Sequence, residues 1–479
     1  MKTRKALQCL AFLLCLLLAI PFAAFAEGEA EGTPKQEPST YSGTPDTSWF
    51  TESNPQYDAE TKTYTLTSAD QFAGLAKVVS EENSWLAGYT IRLGVDVVFN
   101  AGSVEDWASG EAPANAYTPI QEFSGTFDGD GHIISGVYFY EGATGNVGLF
   151  STLNGATVKN LAIVNSMFVG STQIGALVGR IRGNAATISD IYVDAMIFAT
   201  KHHAGGIVGA LETSTDKPMN GQTSIERCAF AGSVSAFTGQ YSGGIMSNSN
   251  GVEFVLRNCI NMGEIGANTK RAGGIIGTSW ILNNTKTTVI EYCINAGAVN
   301  TPESAGTIIG YHKVNALNLS HYISLSGSVK NNTVIGEIPD VEPVLTDGQV
   351  MTEAEIKAFT GWEGWVSVAD SYPMPSRTVA DMLTRAKNAD TPEPTPNPGP
   401  NPGSDEKPSD STPTGTATGK PEQSTEKPSD TTPSTSGSTA STEPAENKAG
   451  CKSSVGAGLP LAVLLLCGAW LGRKERKNR

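Results

Sequence analysis

Apolar and polar residues are distributed along this chain in four ways, and each predicts a different element. Near the N-terminus "ALQCLAFLLCLLLAI" is an unbroken apolar run behind Lys2, Arg4 and Lys5, and "AFA" at 24–26 follows it. That is the layout of a secretory leader (1–26), with cleavage expected before Glu27. Near the C-terminus "VGAGLPLAVLLLCGAWLG" (455–472) runs 18 residues without a charge into the basic "RKERKNR" (473–479). A run of that length just spans a bilayer, and the basic tail places the C-terminus in the cytoplasm. The third pattern is amphipathic. In "TSADQFAGLAKVVSE", Ser68 and Gln71 have capping-box spacing, and Phe72, Leu75, Ala76 and Val79 share one face. One capping helix is expected there, then the strand "YTIRLGVDVVF", and no further helix before "TEAEIKAFT" (352–360).

The fourth pattern fills most of the chain and repeats. "RNCINMGEI" (257–265) returns 34 positions later as "EYCINAGAV" (291–299). Aligned on it, Leu161, Ile191, Cys228, Cys259, Cys293 and Tyr322 form one column. "GALVG" (175–179), "GGIVG" (205–209), "GGIMS" (243–247), "GGIIG" (273–277) and "GTIIG" (306–310) form a second. The spacing from the first column to the glycine motif is 14, 14, 15, 14 and 13 residues. After the motif, 8, 15, 8, 12 and 8 residues intervene before the next strand's Ile or Leu. Short β-branched strands with a period near 30 describe the coils of a parallel β-solenoid, in which equivalent residues stack about 4.8 Å apart. The fold class expected is all-β, with one invariant stretch and one variable corner per coil.

The stacking gives the cysteines and asparagines a reason. Cys228, Cys259 and Cys293 become members of an inward ladder, acting as small hydrophobes, while Asn261 and Asn295 stack amide on amide. Export permits a disulfide, but in-register neighbours hold their Cβ atoms beyond the roughly 3.8 Å that one prefers, so free thiols are expected. One Cys per rung is too sparse for zinc.

Composition divides the remainder. Residues 388–449 are dense in Pro, Thr, Ser and Gly, and "EKPSD" occurs there twice. Such a segment buries too little to fold and is expected to be a disordered stalk. The chain thus reads as leader, a linker at 27–47, a head at 48–380, stalk, anchor and tail. Without leader and tail it holds 25 Lys+Arg against 47 Asp+Glu, a net charge of −22. That balance excludes nucleic acid and anionic lipid as partners of the head, because phosphate binding needs basic clusters.

"GALVG", "GGIVG" and "GGIIG" resemble the GLUG motif, a repeat of bacterial surface proteins. "FSGTFDGDGHIISGVYF…NVGLFSTLNGATVKNLAI" is similar to how such domains begin, and "GWEGWVSVADSYPMPS" to how they end. The resemblance covers about 48–380 and implies a right-handed parallel β-helix on a bacterial cell surface. GLUG repeats also accompany the protease domain of some immunoglobulin A peptidases, which implies nothing catalytic here. "GGIMS" lacks the last glycine, so its corner is expected to turn differently. "AGCKSSVG" (449–456) resembles the tails of surface proteins from clostridia-like bacteria.

Few residues carry candidate chemistry. None of the five histidines is followed by Glu, and there is neither a nucleophile elbow nor a P-loop. "FDGDGH" (127–132) brings Asp128, Asp130 and His132 together, but reads as a tight turn entering the first coil. His202 and His203 read as a solvated turn. Arg180 or Arg182 could serve a lyase as base, yet "GRIRGN" reads more simply as a charged loop. No catalytic residue, metal or cofactor is assigned. What remains is the variable corner, where Trp280 and Tyr311 lie beside Arg182, Lys217 and His312. Trp280, Tyr311, Arg182 and His312 are the ligand-binding candidates. The function expected is binding of a glycan or host surface protein by a monomeric head displayed on the cell surface. The alternatives are a β-helix polysaccharide lyase or hydrolase, and a spacer without a ligand.

Overall fold

The computed structural model describes residues 37–389, apart from 83–84, 214–217, 238–240, 267–269, 281–287, 302, 314–316 and 339–342. The expected leader, anchor and tail, the stalk beyond 389 and Lys217 lie outside the described residues. Among those described, the strands form a 22-stranded and an 8-stranded sheet with nearly all pairing parallel, wound into a β-solenoid of about 9 turns. The smaller sheet stacks Ile120–Phe123 (β1), Phe150–Leu153 (β2), Val178–Ile181 (β3), Val208–Glu212 (β4), Met246–Asn250 (β5), Ile276–Trp280 (β6), Ile309–Lys313 (β7) and Ile335–Glu337 (β8) in chain order. Among the described residues no helix is long and apolar enough to cross a membrane.

The first column is a true stack: Leu161 pairs with Ile191, Ile191 with Cys228, and Cys293 with Tyr322. Directly before it stands a second series, Asn160, Asp190, Arg227, Asn258, Tyr292 and His321, all with φ between 50° and 56°. A left-handed residue turns the chain sharply at the same point of every coil, a conformation in which Asn and Asp are the best tolerated after glycine.

The glycines act differently. Gly205, Gly243, Gly273 and Gly306 stack in register. None has a positive φ. Each lacks space instead: a Cβ there would lie 2.1, 2.1, 2.0 and 1.8 Å from the carbonyl oxygen three residues ahead. Backbone packs on backbone at this corner, and only glycine fits. The second glycines make room for a side chain, since a Cβ on Gly244 or Gly274 would meet Asn261 or Asn295 at 2.4 or 2.2 Å. Asn261 Nδ2 donates to Asn295 Oδ1 at 2.8 Å, and each amide also donates to the carbonyl of Gly263 or Gly297. The expected departure at "GGIMS" is not seen. Met246 keeps register with Val208 and Ile276, and buried Ser247 donates its hydroxyl to the Tyr241 carbonyl at 2.9 Å.

The three thiols are free and fully buried. Each donates to the carbonyl two residues back, at 3.2 to 3.3 Å. Burial pushes the Cys293 thiol up to about 12.

Chain outside the repeats packs on the N-terminal end of the stack and along its side. Ser39–Thr40 pairs with Val97–Val98, so packed chain begins inside the stretch read as a linker. Helix α1 (Ala69–Glu81) forms with Ser68 as N-cap and buries Phe72, Leu75, Val78 and Val79. Gln71 Oε1 accepts from the Thr67 N–H at 2.7 Å, so the reciprocal cap bond falls one residue early. A second helix, α2 (Val104–Ser109), was not anticipated; it is capped by Ser103 and stopped by left-handed Gly110, and it seats Trp107 against Met167, Val169 and Phe198. Its six residues are too few to show a period.

The C-terminal part is a strap. Helix α3 (Glu353–Lys357) carries the Thr352–Glu355 capping box, and α4 (Arg377–Ala389) extends past the expected head boundary at 380. Ile133, Ala162, Tyr192, Ala229, Ile260, Ile294 and Ile323 form an apolar stripe that the strap covers with Ile356, Met374, Val379, Met382, Leu383 and Ala386. The strap also reads the left-handed column. Trp365 Nε1 donates to Asn258, Ser376 Oγ donates to Asp190, and Trp362 meets Tyr292 edge-on. Arg385 ends the run on Asp96 and the Gly131 carbonyl, beside the first coils.

The ladder predicts that Cys228, Cys259 and Cys293 resist alkylation in the native protein and react fully in denaturant. Cys259→Ser, which places a hydroxyl in an apolar stack, should lower unfolding free energy by about 1–3 kcal/mol. Rapid labelling of the native protein would contradict the inward placement.

Candidate functional site

In the smaller sheet, the third and fourth residues of each strand face opposite ways. Facing out, Glu122, Thr152, Arg180, Ala210, Asn248, Thr278, Tyr311 and Glu337 make one register column. Facing in, Leu153, Ile181, Leu211, Ser249, Ser279 and His312 make another. This phase decides the fate of the sequence candidates.

His312 occupies the inward column and has no exposed surface, so it is not a contact for an external ligand. Tyr311 faces out but is only 7% exposed, because the Arg271 guanidinium lies over its ring at 4.1 Å. Arg271 is held in turn by Glu337 at 2.9 Å, and Tyr241 flanks the pair. Tyr311 is therefore a packing residue of a closed aromatic and cationic stripe. Trp280 ends β6 half-buried, with the Lys313 ammonium 5.1 Å from its ring centroid. Arg182 follows β3, three strands from β6 or roughly 14 Å along the stack. The structure does not bring these four residues into one site.

Arg182 does line a groove of about 460 Å³ with Trp85, Glu122, Asn154, Arg180 and Glu212. Trp85 follows α1 in a turn where both Trp85 and Leu86 are left-handed, at φ 50° and 60°. The backbone pins it: its N–H donates to the Glu82 carbonyl, and its carbonyl accepts from the Ser124 N–H. Trp85 is 41% exposed, one of the few large apolar residues left open to solvent among those described. Beside it, Arg182 Nη2 donates to Glu122 Oε2 at 2.9 Å, and Asn154 Nδ2 donates to Glu122 Oε1 at 2.7 Å. Asn184 and Asn220 extend this amide ladder across the variable corner, through bonds of 2.9 and 3.3 Å.

Arg180 and Glu212 complete the groove with a looser pairing, their charged atoms 3.9 Å apart. Burial raises the Glu212 carboxyl above its usual range, opposed by Arg180 and by the bond from Gln173. Burial also lowers the basicity of Arg180, and the like charge of Arg182 adds to it. An open aromatic face bordered by half-buried guanidinium, carboxylate and amide groups is suited to a flat polyhydroxylated ligand.

Trp85, Glu122, Asn154 and Glu212 were not among the sequence candidates. They come from separate coils and from the turn after α1, so no local motif joins them; the signal available was a Trp in the turn-like "ENSWLAG". The turn reading of "FDGDGH" holds. Asp128 accepts from the Asp130 N–H, Asn160 and Lys159, and His132 pairs with Asp96 at 2.8 Å.

Two predictions separate packing from binding. Tyr311→Ala should cost about 3–5 kcal/mol in denaturant unfolding, whereas Trp280→Ala should cost about 1 kcal/mol or less; a small cost at both positions would restore the variable edge as a site. His203 stacks on Tyr241 with centroids 5.4 Å apart, and burial, aided by His202, pushes its pKa down to about 4 from the ordinary 6.5. In that interval the unfolded chain binds the proton more tightly. Stability from this group is therefore complete above pH 6.5 and lost as pH falls towards 4. His203→Gln, matching Gln173 at the same point of the previous coil, should flatten this part of the melting-temperature profile.

Comparison with known proteins gives limited likenesses. No family model matches the chain. Over 142 residues it is 32% identical to halomucin of Haloquadratum walsbyi; the match covers 28% of this chain, which spans about 2% of that protein's length. The crystal structure of a "putative immunoglobulin A1 protease" from Bacteroides ovatus superposes with a TM-score of 0.45 at 19% identity, covering 67% of this chain and 94% of that one.

Proposed function

We propose that this chain is a surface-displayed β-solenoid, wound right-handed as in GLUG-type repeats, that binds glycans in the Trp85 groove. The observation that carries the reading is the open indole of Trp85, carried on a hydrogen-bonded turn and bordered by the Glu122–Arg182 pair and Arg180. Sugar rings stack on such faces, and side chains with both donors and acceptors match vicinal hydroxyls. Display at the surface, through the stalk and the apolar anchor, is supported by the leader-like start and the basic tail. Glycan binding is favoured over the spacer reading because a spacer has no use for an exposed Trp held in a strained turn. The second reading, a polysaccharide lyase or hydrolase, draws on Arg180, whose lowered basicity suits a proton acceptor.

The purified protein should retain members of an oligosaccharide panel, scored in the same experiment for chain cleavage. Trp85→Ala should weaken retention at least about tenfold while shifting the melting temperature little, since the ring stacks on ligand rather than core. Cleavage would favour the enzyme. Retention unaffected by Trp85→Ala would move the site away from the groove.

A further inference from the structure

We propose that the sugar held in the Trp85 groove carries a carboxylate, a uronic acid or its like, and that Arg180 receives that charge. The inference rests on the reading of the groove as a glycan site and adds the ligand's chemical class.

It follows from hydrogen-bond accounting in the two halves of the groove. The Glu122 half is closed: one carboxylate oxygen accepts from Arg182, the other from Asn154, and Asn154 accepts from Asn184. The Arg180 half is open. Its shortest bond goes to Thr152 Oγ1 at 3.5 Å, the limit of the interaction, and Glu212 stands 3.9 Å away. Its Nε is buried without a partner among the described residues, which leaves the Nη edge as the part a ligand can reach. Glu212 is engaged by Gln173 instead. A guanidinium has donors only, in a planar fork, and burial without acceptors is costly. Hydroxyls of a neutral sugar would satisfy it singly. A carboxylate would take two parallel bonds and neutralise it, which is the geometry Arg favours over a point charge. Arg182 is neutralised by Glu122, so Arg180, only loosely paired with Glu212 at 3.9 Å, is the cation of the groove left for a ligand, whereas the rest of the exported chain, at −22, repels anions. Preference for an acidic sugar is thus confined to this groove. The arginine tolerates replacement in the stack, because Thr152 and Ala210 occupy the same outward column on either side.

The test compares oligouronates (galacturonate, glucuronate and mannuronate series) with the same oligosaccharides after chemical reduction of their carboxyls, using the intact protein in calorimetry. Acidic forms should bind at least about tenfold more tightly, and the advantage should shrink with added salt. Arg180→Ala, its fold checked by melting, should abolish the difference while leaving weak, Trp85-dependent binding of the reduced sugars. Arg180→Lys should restore part of the preference. Equal affinity for acidic and reduced forms, both dependent on Trp85, would overturn the carboxylate assignment and leave the groove a neutral-glycan site. A sulfated neutral oligosaccharide binding as tightly as the uronate would replace the carboxylate by any anion. No binding of either form would remove the glycan reading itself.

Discussion

The constraint on which this structure depends is the close approach of backbone to backbone at the glycine corner. A parallel solenoid works only if every coil returns to the same lateral position, because a slip would break all pairing above it. The first glycine of each motif lies so near the carbonyl three residues on that no side chain fits, and the second, at Gly244 and Gly274, faces an asparagine side chain of the following coil. That is why Asn261 and Asn295 can be buried: the missing Cβ leaves room for the amide, which closes the turn at Gly263 and Gly297. The cysteines sit in the column that also holds Leu161, Ile191 and Tyr322, where they serve as small apolar side chains.

A second series of contacts fixes the coils from outside. One left-handed residue per coil projects a polar or aromatic side chain, and the strap uses several of them as docking points while covering the apolar stripe alongside. Solenoids are held mainly by nearest-neighbour interfaces. Here a single segment touches coils that are far apart in the stack, from Tyr292 to Asp96, and so couples them directly. The groove lies where neither constraint applies, at the corner whose length is free to vary.

The register of the core was legible because it repeats; Leu161, Ile191 and the cysteines could be aligned by eye. Strand phase was legible too, had Ile181 and Leu211 been used to place His312, which stands at the same offset and is therefore inside. Tyr311 needed more than phase, since its burial depends on Arg271 from another strand. Helix α4 shows apolar residues at 379, 382, 383 and 386, a helical period obscured by the Pro-rich stretch that follows. The groove was not legible. Trp85, Glu122, Arg180 and Glu212 meet only after winding, and nothing in the spacing of one coil encodes a neighbour two coils away.

The strap has a mechanical consequence. It doubles back over the solenoid, so the chain leaves the folded body beside the first coils, where Arg385 holds Asp96, and not at the last. A pull on the chain beyond residue 389 would load the strap's contacts side by side. The anchors at Asp96, Asp190 and Asn258 would share the tension along with the buried stripe, in shear. Had the chain left from the final coil, the same pull would have peeled rungs away one at a time. Pulled from this end, the folded body would yield at its clasp before its core unwinds.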